Sequence, residues 1–287
     1  MVEAILLAIA LPRGDYVPVD PPEEAFAVER AHEDGLGHLV FLNRCPEGIS
    51  ISYGQVDDAR RNRSMIVTGT IHLDPYPYGD ESWDAIVDEV QRMFEPFGIT
   101  VTEDDPGDVP HDEALVCGSD RDAGFAPAAG IAPWGCRPIA NAITFTFPEA
   151  IGDFPKYTAE TVVQEAAHAW ALDHSFDCED PMTYLEGCGR KSFQDLDMRC
   201  GEYEARDCAC GSPTQNTYAH LMDLFGPTPA PIGREPLQSP EDPMSTAKRL
   251  PPGEGCGCRT TGRAGTLAWL LLLPLRRRRR GVIHVAS

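Results

Sequence analysis

The stretch VVQEAAHAWALDH, residues 162–174, decides how this chain is read. Its apolar residues surround four that carry chemistry: Gln164, Glu165, His168 and His174. On a helix, positions i and i+4 lie one turn apart on the same face. Gln164 and His168 therefore project side by side, with Glu165 next to them. Two such side chains can grip one metal ion, and a carboxylate at i+1 can reach water beside it. Six residues after His168 stands His174. The helix is expected to begin near Thr158.

Downstream, CEDPMTY (178–184) places Met182 in a tight turn, with Tyr184 two positions later. Taken together, Q-E-x-x-H-x-x-A-x-x-H and this turn resemble the metzincin clan of zinc metallopeptidases over residues 160–184. The resemblance implies Zn2+ on His168, His174 and Gln164. It also implies Glu165 as general base, Met182 as the floor of the site, and Tyr184 as stabiliser of the tetrahedral intermediate. Cys178 and Cys188 bracket the turn and could fix it. Two positions depart from the pattern. Gln164 stands where the first histidine belongs, and an amide oxygen is a poorer zinc donor than imidazole. Ala171 replaces a glycine, which costs of order 1 kcal/mol if that position needs positive φ. Zinc is thus expected to be held weakly. The substrate implied is a peptide or protein. The alternative is an inactive pseudopeptidase serving as a surface binding or structural module; retention of Glu165 and Tyr184 argues for the enzyme, Gln164 and Ala171 for the scaffold.

The fold class expected is α+β: a zincin/metzincin-like domain over 36–225, with a mixed sheet, an active-site helix, a Met-turn and a disulfide-rich C-terminal subdomain. Residues 38–42 (HLVFL), Met65–Ile71, ITVTED, EALVCG and NAITFTFP read as strands. Apolar residues at Trp83, Ile86, Val87, Val90, Met93, Phe94 and Phe97 recur at helix spacing, and Gly98 ends the run. The acidic EDDPGD (103–108) does not match a calcium loop and reads as a solvated turn. His32, Glu33 and His38, spaced by glycines, read as surface loop.

Ten cysteines, eight of them in the body, point to disulfides formed after export. A zinc site built on Cys208 and Cys210 would lack the paired C-x-x-C arms of a zinc ribbon. The net charge is −21, and seven arginines in the last 32 residues leave residues 1–255 at −28. Such a body repels phosphate backbones and excludes nucleic acid as a partner.

The two ends suggest an address. Residues 1–22 contain an apolar run, AILLAIAL (4–11), read as a truncated signal segment although Glu3 replaces the usual basic flank. An ordinary buried strand is the other reading. Residues 226–255 hold eight prolines and no hydrophobic periodicity, as a linker does. The tail, residues 256–280, sets the cysteines of GCGC (255–258), Cys256 and Cys258, before LAWLLLLPL and five arginines. This resembles myxobacterial C-terminal sorting tails, in which the cysteine is the point of cleavage or lipid attachment. It implies display at the cell envelope, with membrane and sorting machinery as partners and the arginines on the cytoplasmic side. Residues 281–287 trail beyond that pattern.

Overall fold

The computed structural model describes residues 13–23 and 37–229. The apolar run 4–11, His32, Glu33, the linker beyond residue 229, Cys256, Cys258, the arginine cluster and residues 281–287 lie outside the described residues.

In chain order the strands are β1 (Gly14–Pro18), β2 (His38–Asn43), β3 (Ile49–Tyr53), β4 (Arg63–Ser64), β5 (Thr70–Leu73), β6 (Ile99–Thr102), β7 (Asp112–Val116), β8 (Gly130–Trp134) and β9 (Ile143–Thr146). The helices are α1 (Asp80–Phe94), α2 (Asp120–Ala123), α3 (Pro148–Ile151), α4 (Pro155–Ala169) and α5 (Thr217–Phe225). The fold is α+β. Six strands form a mixed sheet in the order β1-β8-β9-β7-β2-β6. β6, β2, β7 and β9 are parallel, β8 is antiparallel to β9, and β1 pairs in parallel with β8. A smaller sheet has the order β4-β3-β5.

Period-two alternation sorts each central strand into two cores. On β7, Ala114 and Val116 join the core formed with α1 and α4, whereas Leu115 and the adjoining Cys117 face the core shared with β3 and β5. Covered on both faces, these strands are continuous apolar runs, which is why they were legible. The stripe on α1 is buried as its spacing predicts. α4 is different: every residue from Thr158 to Ala169 is buried. A helix enclosed all round should be apolar all round, so Glu160, Gln164, Glu165 and His168 within it demand a reason.

Several expectations are corrected. Met65–Ile71 is not one strand: pairing involves Arg63–Ser64 and Thr70–Leu73, with a turn between. His38 is not in a surface loop; it is buried at the start of β2, with Nε2 2.7 Å from Asp112 Oδ2. The acidic 103–108 segment is largely exposed, as a solvated turn should be. β8 went unread because Pro133 interrupts GIAPW, and proline argues against a central strand. The sheet also takes in Gly14–Pro18, inside the segment read as a leader.

Four disulfides join Cys45–Cys117, Cys136–Cys210, Cys178–Cys188 and Cys200–Cys208. Cys208 and Cys210 therefore belong to separate bridges, not to a zinc site. Bridges at this density fit an oxidising or extracellular environment. Among the described residues no helix is long and apolar enough to cross a membrane.

One buried acid gives the fold a pH signature. Glu113 Oε1 accepts from Asn43 Nδ2 at 2.7 Å, while Oε2 has no partner. Burial raises its carboxyl from 4.5 to about 7. The folded state therefore holds this proton where the unfolded chain has released it. Its contribution to stability is complete below about pH 4.5 and is lost as pH rises to about 7. Denaturant melts across that window should show Glu113→Gln flattening the decline, by up to about 1.4 kcal/mol per pH unit. An unchanged slope would mean Glu113 is ionised throughout.

Candidate metal centre

α4 starts with Pro155 in its first turn, where a missing N–H costs nothing. It stops at Ala169, five residues after Gln164. Leu172 N donates to Ala167 O at 3.1 Å and Ala171 N to His168 O at 3.0 Å, the paired bonds of a Schellman close. That close needs a left-handed residue, and Ala171 sits at φ +73°. The strain expected of an alanine there is real, of order 1 kcal/mol. Burial of Leu172 and Ala167 in one core offsets it.

The reversal brings His174 back onto His168. Their rings meet edge to face with centroids 4.6 Å apart, and the two Nε2 atoms are 3.0 Å apart. The other ring nitrogens fix the tautomers. His168 Nδ1–H donates to Leu172 O at 2.8 Å, and His174 Nδ1–H donates to Glu202 Oε1 at 2.9 Å. Each imidazole thus aims its Nε2 lone pair at the other. Two lone pairs in contact repel unless a proton or a cation lies between them. Burial, reinforced by His174, holds the His168 imidazole well below its usual range, which disfavours a proton. The spacing suits a divalent metal instead: two nitrogens bound tetrahedrally to zinc at 2.0–2.1 Å stand about 3.3 Å apart.

Glu165 occupies the neighbouring helical position and is wholly buried. Neither carboxylate oxygen has a hydrogen-bond partner of good geometry among the described residues. Burial drives its carboxyl well above the usual range, the Asp15 carboxylate adds to the rise, and the Asp15 backbone amide opposes it. An orphaned buried carboxylate is costly, and a cation beside it would reverse the penalty. Gln164 donates from Nε2 to Pro181 O at 3.2 Å, which leaves its Oε1 free as a ligand. That oxygen and Glu165 Oε1 both crowd Gly14: a Cβ there would stand 2.6 Å from Gln164 Oε1 and collide with Glu165. The donor set of two imidazoles and an amide oxygen fits zinc, less strongly than three imidazoles would.

The turn expected at Met182 is built by a residue the sequence did not flag. Asp180, fully buried, accepts from Met182 N, Gln194 N and Thr217 Oγ1. Burial raises its carboxyl to about 6 against these three bonds. Met182 is itself fully buried, its carbonyl accepting from Ser175 N at 2.9 Å beside His174. The Cys178–Cys188 bridge closes this segment. The Tyr184 ring lies 4.5 Å from that of His174, and its hydroxyl donates to Gly14 O. Burial raises its phenol.

Four further residues take part. Glu202, on the short loop closed by Cys200–Cys208, orients His174, as a carboxylate behind a metal-binding histidine commonly does. Hydrogen bonding from His174 is the main cause of its lowered carboxyl. Arg206 holds Glu202 at 2.7 Å and Asp173 at 2.6 and 2.8 Å. Ligand atoms of Asp173, His174 and Glu202 lie within 4.8 Å of one another, but Arg206 neutralises both carboxylates, so this is a support for His174 and not a second metal site. Tyr16 covers the centre, with its ring 4.8 Å from His168 and 5.2 Å from His174. Its phenol is raised to about 12, by burial first and by Asp173 second. None of these has a motif spacing that could have marked it.

Beside Tyr184 an open cleft of about 870 Å³ is bounded by Arg13, Asp15, Arg121, Glu149 and Tyr203. No family model matches the chain, and no curated protein matches it in sequence.

Proposed function

We propose that this chain is a zinc-dependent endopeptidase of metzincin type, exported to an oxidising compartment. The observation that carries the reading is the nitrogen-to-nitrogen approach of His168 Nε2 and His174 Nε2, 3.0 Å apart, with both Nδ1 protons donated away. The enclosed helix α4 and the antiparallel strand β8 beside it support a zincin-like fold.

His168, His174 and Gln164 would hold a divalent metal, which would supply Lewis acidity toward a peptide carbonyl and a water at neutral pH. The protein's own groups do the rest. Glu165 takes the proton from the attacking water and passes it to the leaving amine. The Tyr184 hydroxyl, freed from Gly14 O, donates to the oxyanion that develops on the carbonyl. Glu202 holds the His174 ring in the tautomer that leaves Nε2 bare. The experiment is cleavage of an unfolded protein by zinc-loaded chain, with activity lost to a chelator and regained on adding zinc. Chelator-insensitive cleavage, or none at full zinc loading, would count against the reading.

A pseudopeptidase is favoured by one observation: Gln164 offers a weak donor in the place of an imidazole. Under that reading the chain would bind extended polypeptide without cutting it. The sorting-tail resemblance adds display at the envelope, with membrane and sorting machinery as partners of residues 256–280.

A further inference from the structure

Two disulfides meet at the segment that returns His174 to the metal centre. A hollow of about 370 Å³ is lined by Ala171, Leu172 and Asp173 of that return and by Cys136, Cys208 and Cys210. Both residues of the Cys136–Cys210 bridge are exposed, whereas the neighbouring Cys200–Cys208 bridge is buried, with Cys200 0% and Cys208 7% accessible. The sulfurs of Cys200 and Cys208 lie within 4.8 Å of an Asp173 carboxylate oxygen. The loop closed by the buried bridge carries Glu202 and Arg206, and its backbone is tied to the site as well. Gly201 N donates to His174 O at 2.9 Å, and Cys200 and Arg206 exchange backbone bonds of 3.1 and 2.6 Å. The two bridges are also adjacent in the chain. Only Ala209 separates Cys208 from Cys210, in a turn closed by Gly211 N donating to Cys208 O at 3.1 Å. Such a turn brings its ends within about 7 Å, and a disulfide spans Cα separations up to about 6.8 Å. A thiolate freed at Cys210 therefore stands within reach of Cys208.

Thiol–disulfide exchange begins with attack of a thiolate on one sulfur of a bridge, and access helps decide which bridge reacts first. We propose that Cys136–Cys210 is an exchange site for a dithiol reductant, and that exchange there passes to Cys200–Cys208 and releases the support of His174. A reductant thiolate attacks Cys136 Sγ; a mixed disulfide forms and Cys210 leaves as thiolate. The second thiol of the reductant then attacks the reductant's own sulfur in that mixed disulfide, and Cys136 leaves with its proton. The Cys210 thiolate attacks Cys208 Sγ, a Cys208–Cys210 bond forms, and Cys200 leaves as thiolate. In balance, one dithiol is oxidised to its cyclic disulfide, the protein gains two electrons, and free thiols stand at Cys136 and Cys200. The loop 200–208 is then open, and Glu202 and Arg206 lose the closure that holds them beside His174 and Asp173. Losing the group that orients a metal-binding histidine costs about 10–100-fold in metal affinity. A reducing compartment thus keeps the centre unsupported, and oxidation after export completes it. The effect on metal rests on the zinc reading; the exchange itself does not.

The test titrates the full oxidised chain with dithiothreitol, quenches with an alkylating agent, and maps thiols and bridges by peptide mass. The expected product is alkylated at Cys136 and Cys200 and bridged from Cys208 to Cys210, with the buried Cys45–Cys117 bridge intact. Amide hydrogen exchange in segment 199–208 should quicken at least tenfold at that stage, with segment 112–116 unchanged. In the Cys136→Ser, Cys210→Ser double variant, Cys200–Cys208 should open at least tenfold more slowly. Opening at the rate of the unaltered chain would overturn the proposal, as would loss of Cys136–Cys210 with Cys200–Cys208 retained. Should the variant not fold, the trapped product of the unaltered chain decides alone: a Cys208–Cys210 bridge supports the transfer, and its absence overturns it. Chelator competition separates the two readings, because the exchanged protein should bind zinc about 10–100-fold more weakly. Unchanged affinity in a chain with rearranged bridges sinks the control of His174 alone; rearranged bridges in a chain that never holds zinc sink the zinc reading alone.

Discussion

Glu165→Gln should reduce peptide cleavage by about 10²–10⁴-fold, the range associated with a lost general base, while leaving the metal content of the protein unchanged. The substitution keeps size and shape and removes only the ability to take a proton. Glu165 is wholly buried, neither oxygen has a hydrogen-bond partner of good geometry among the described residues, and glutamine keeps an oxygen for the nearby Asp15 amide. Its side chain is also not among the assigned ligands, which are His168, His174 and Gln164. Cleavage assays on zinc-loaded protein, paired with metal analysis of the same sample, read both outcomes at once. Retained activity would remove Glu165 from the chemistry; lost zinc would make it a ligand.

Gln164→His should tighten zinc binding by of order 10²-fold or more and raise turnover, because imidazole is the better donor to this metal. The replacement ring stands one helical turn from His168, on the face where Gln164 Oε1 already points beside Glu165 Oε1. The bond from Gln164 Nε2 to Pro181 O would be lost or taken over by a ring N–H, at a stability cost of about 1 kcal/mol. Competition with a chromophoric chelator measures the affinity. No gain would mean that residue 164 does not reach the metal, and the site would then rest on two histidines.

How much of this was legible follows the physics of each element. The α1 stripe and strands β2, β6, β7 and β9 were readable because burial imposes apolar periodicity that sequence carries directly. The meeting of His168 with His174 was legible only through the resemblance to a motif that sets its third ligand six residues after the second. The same resemblance puts glycine at residue 171, and Ala171 does sit at φ +73°. What was hidden is what tertiary pairing alone creates. β1 owes its place to Trp134 and Gly130 on β8, residues more than a hundred positions away. Glu202 and Arg206 reach His174 only because Cys200–Cys208 folds a short loop over it. Asp180 supports the Met182 turn through donors from residues 194 and 217, which no local pattern announces.

The most direct measurement is the zinc content of full-length protein purified from zinc-replete culture, alongside His168→Ala and His174→Ala. One zinc per chain is predicted, lost to sub-stoichiometric levels in either variant even when circular dichroism shows them folded. A chain that holds no zinc, or one whose zinc survives both substitutions, would contradict the convergence of His168 and His174 on a common metal.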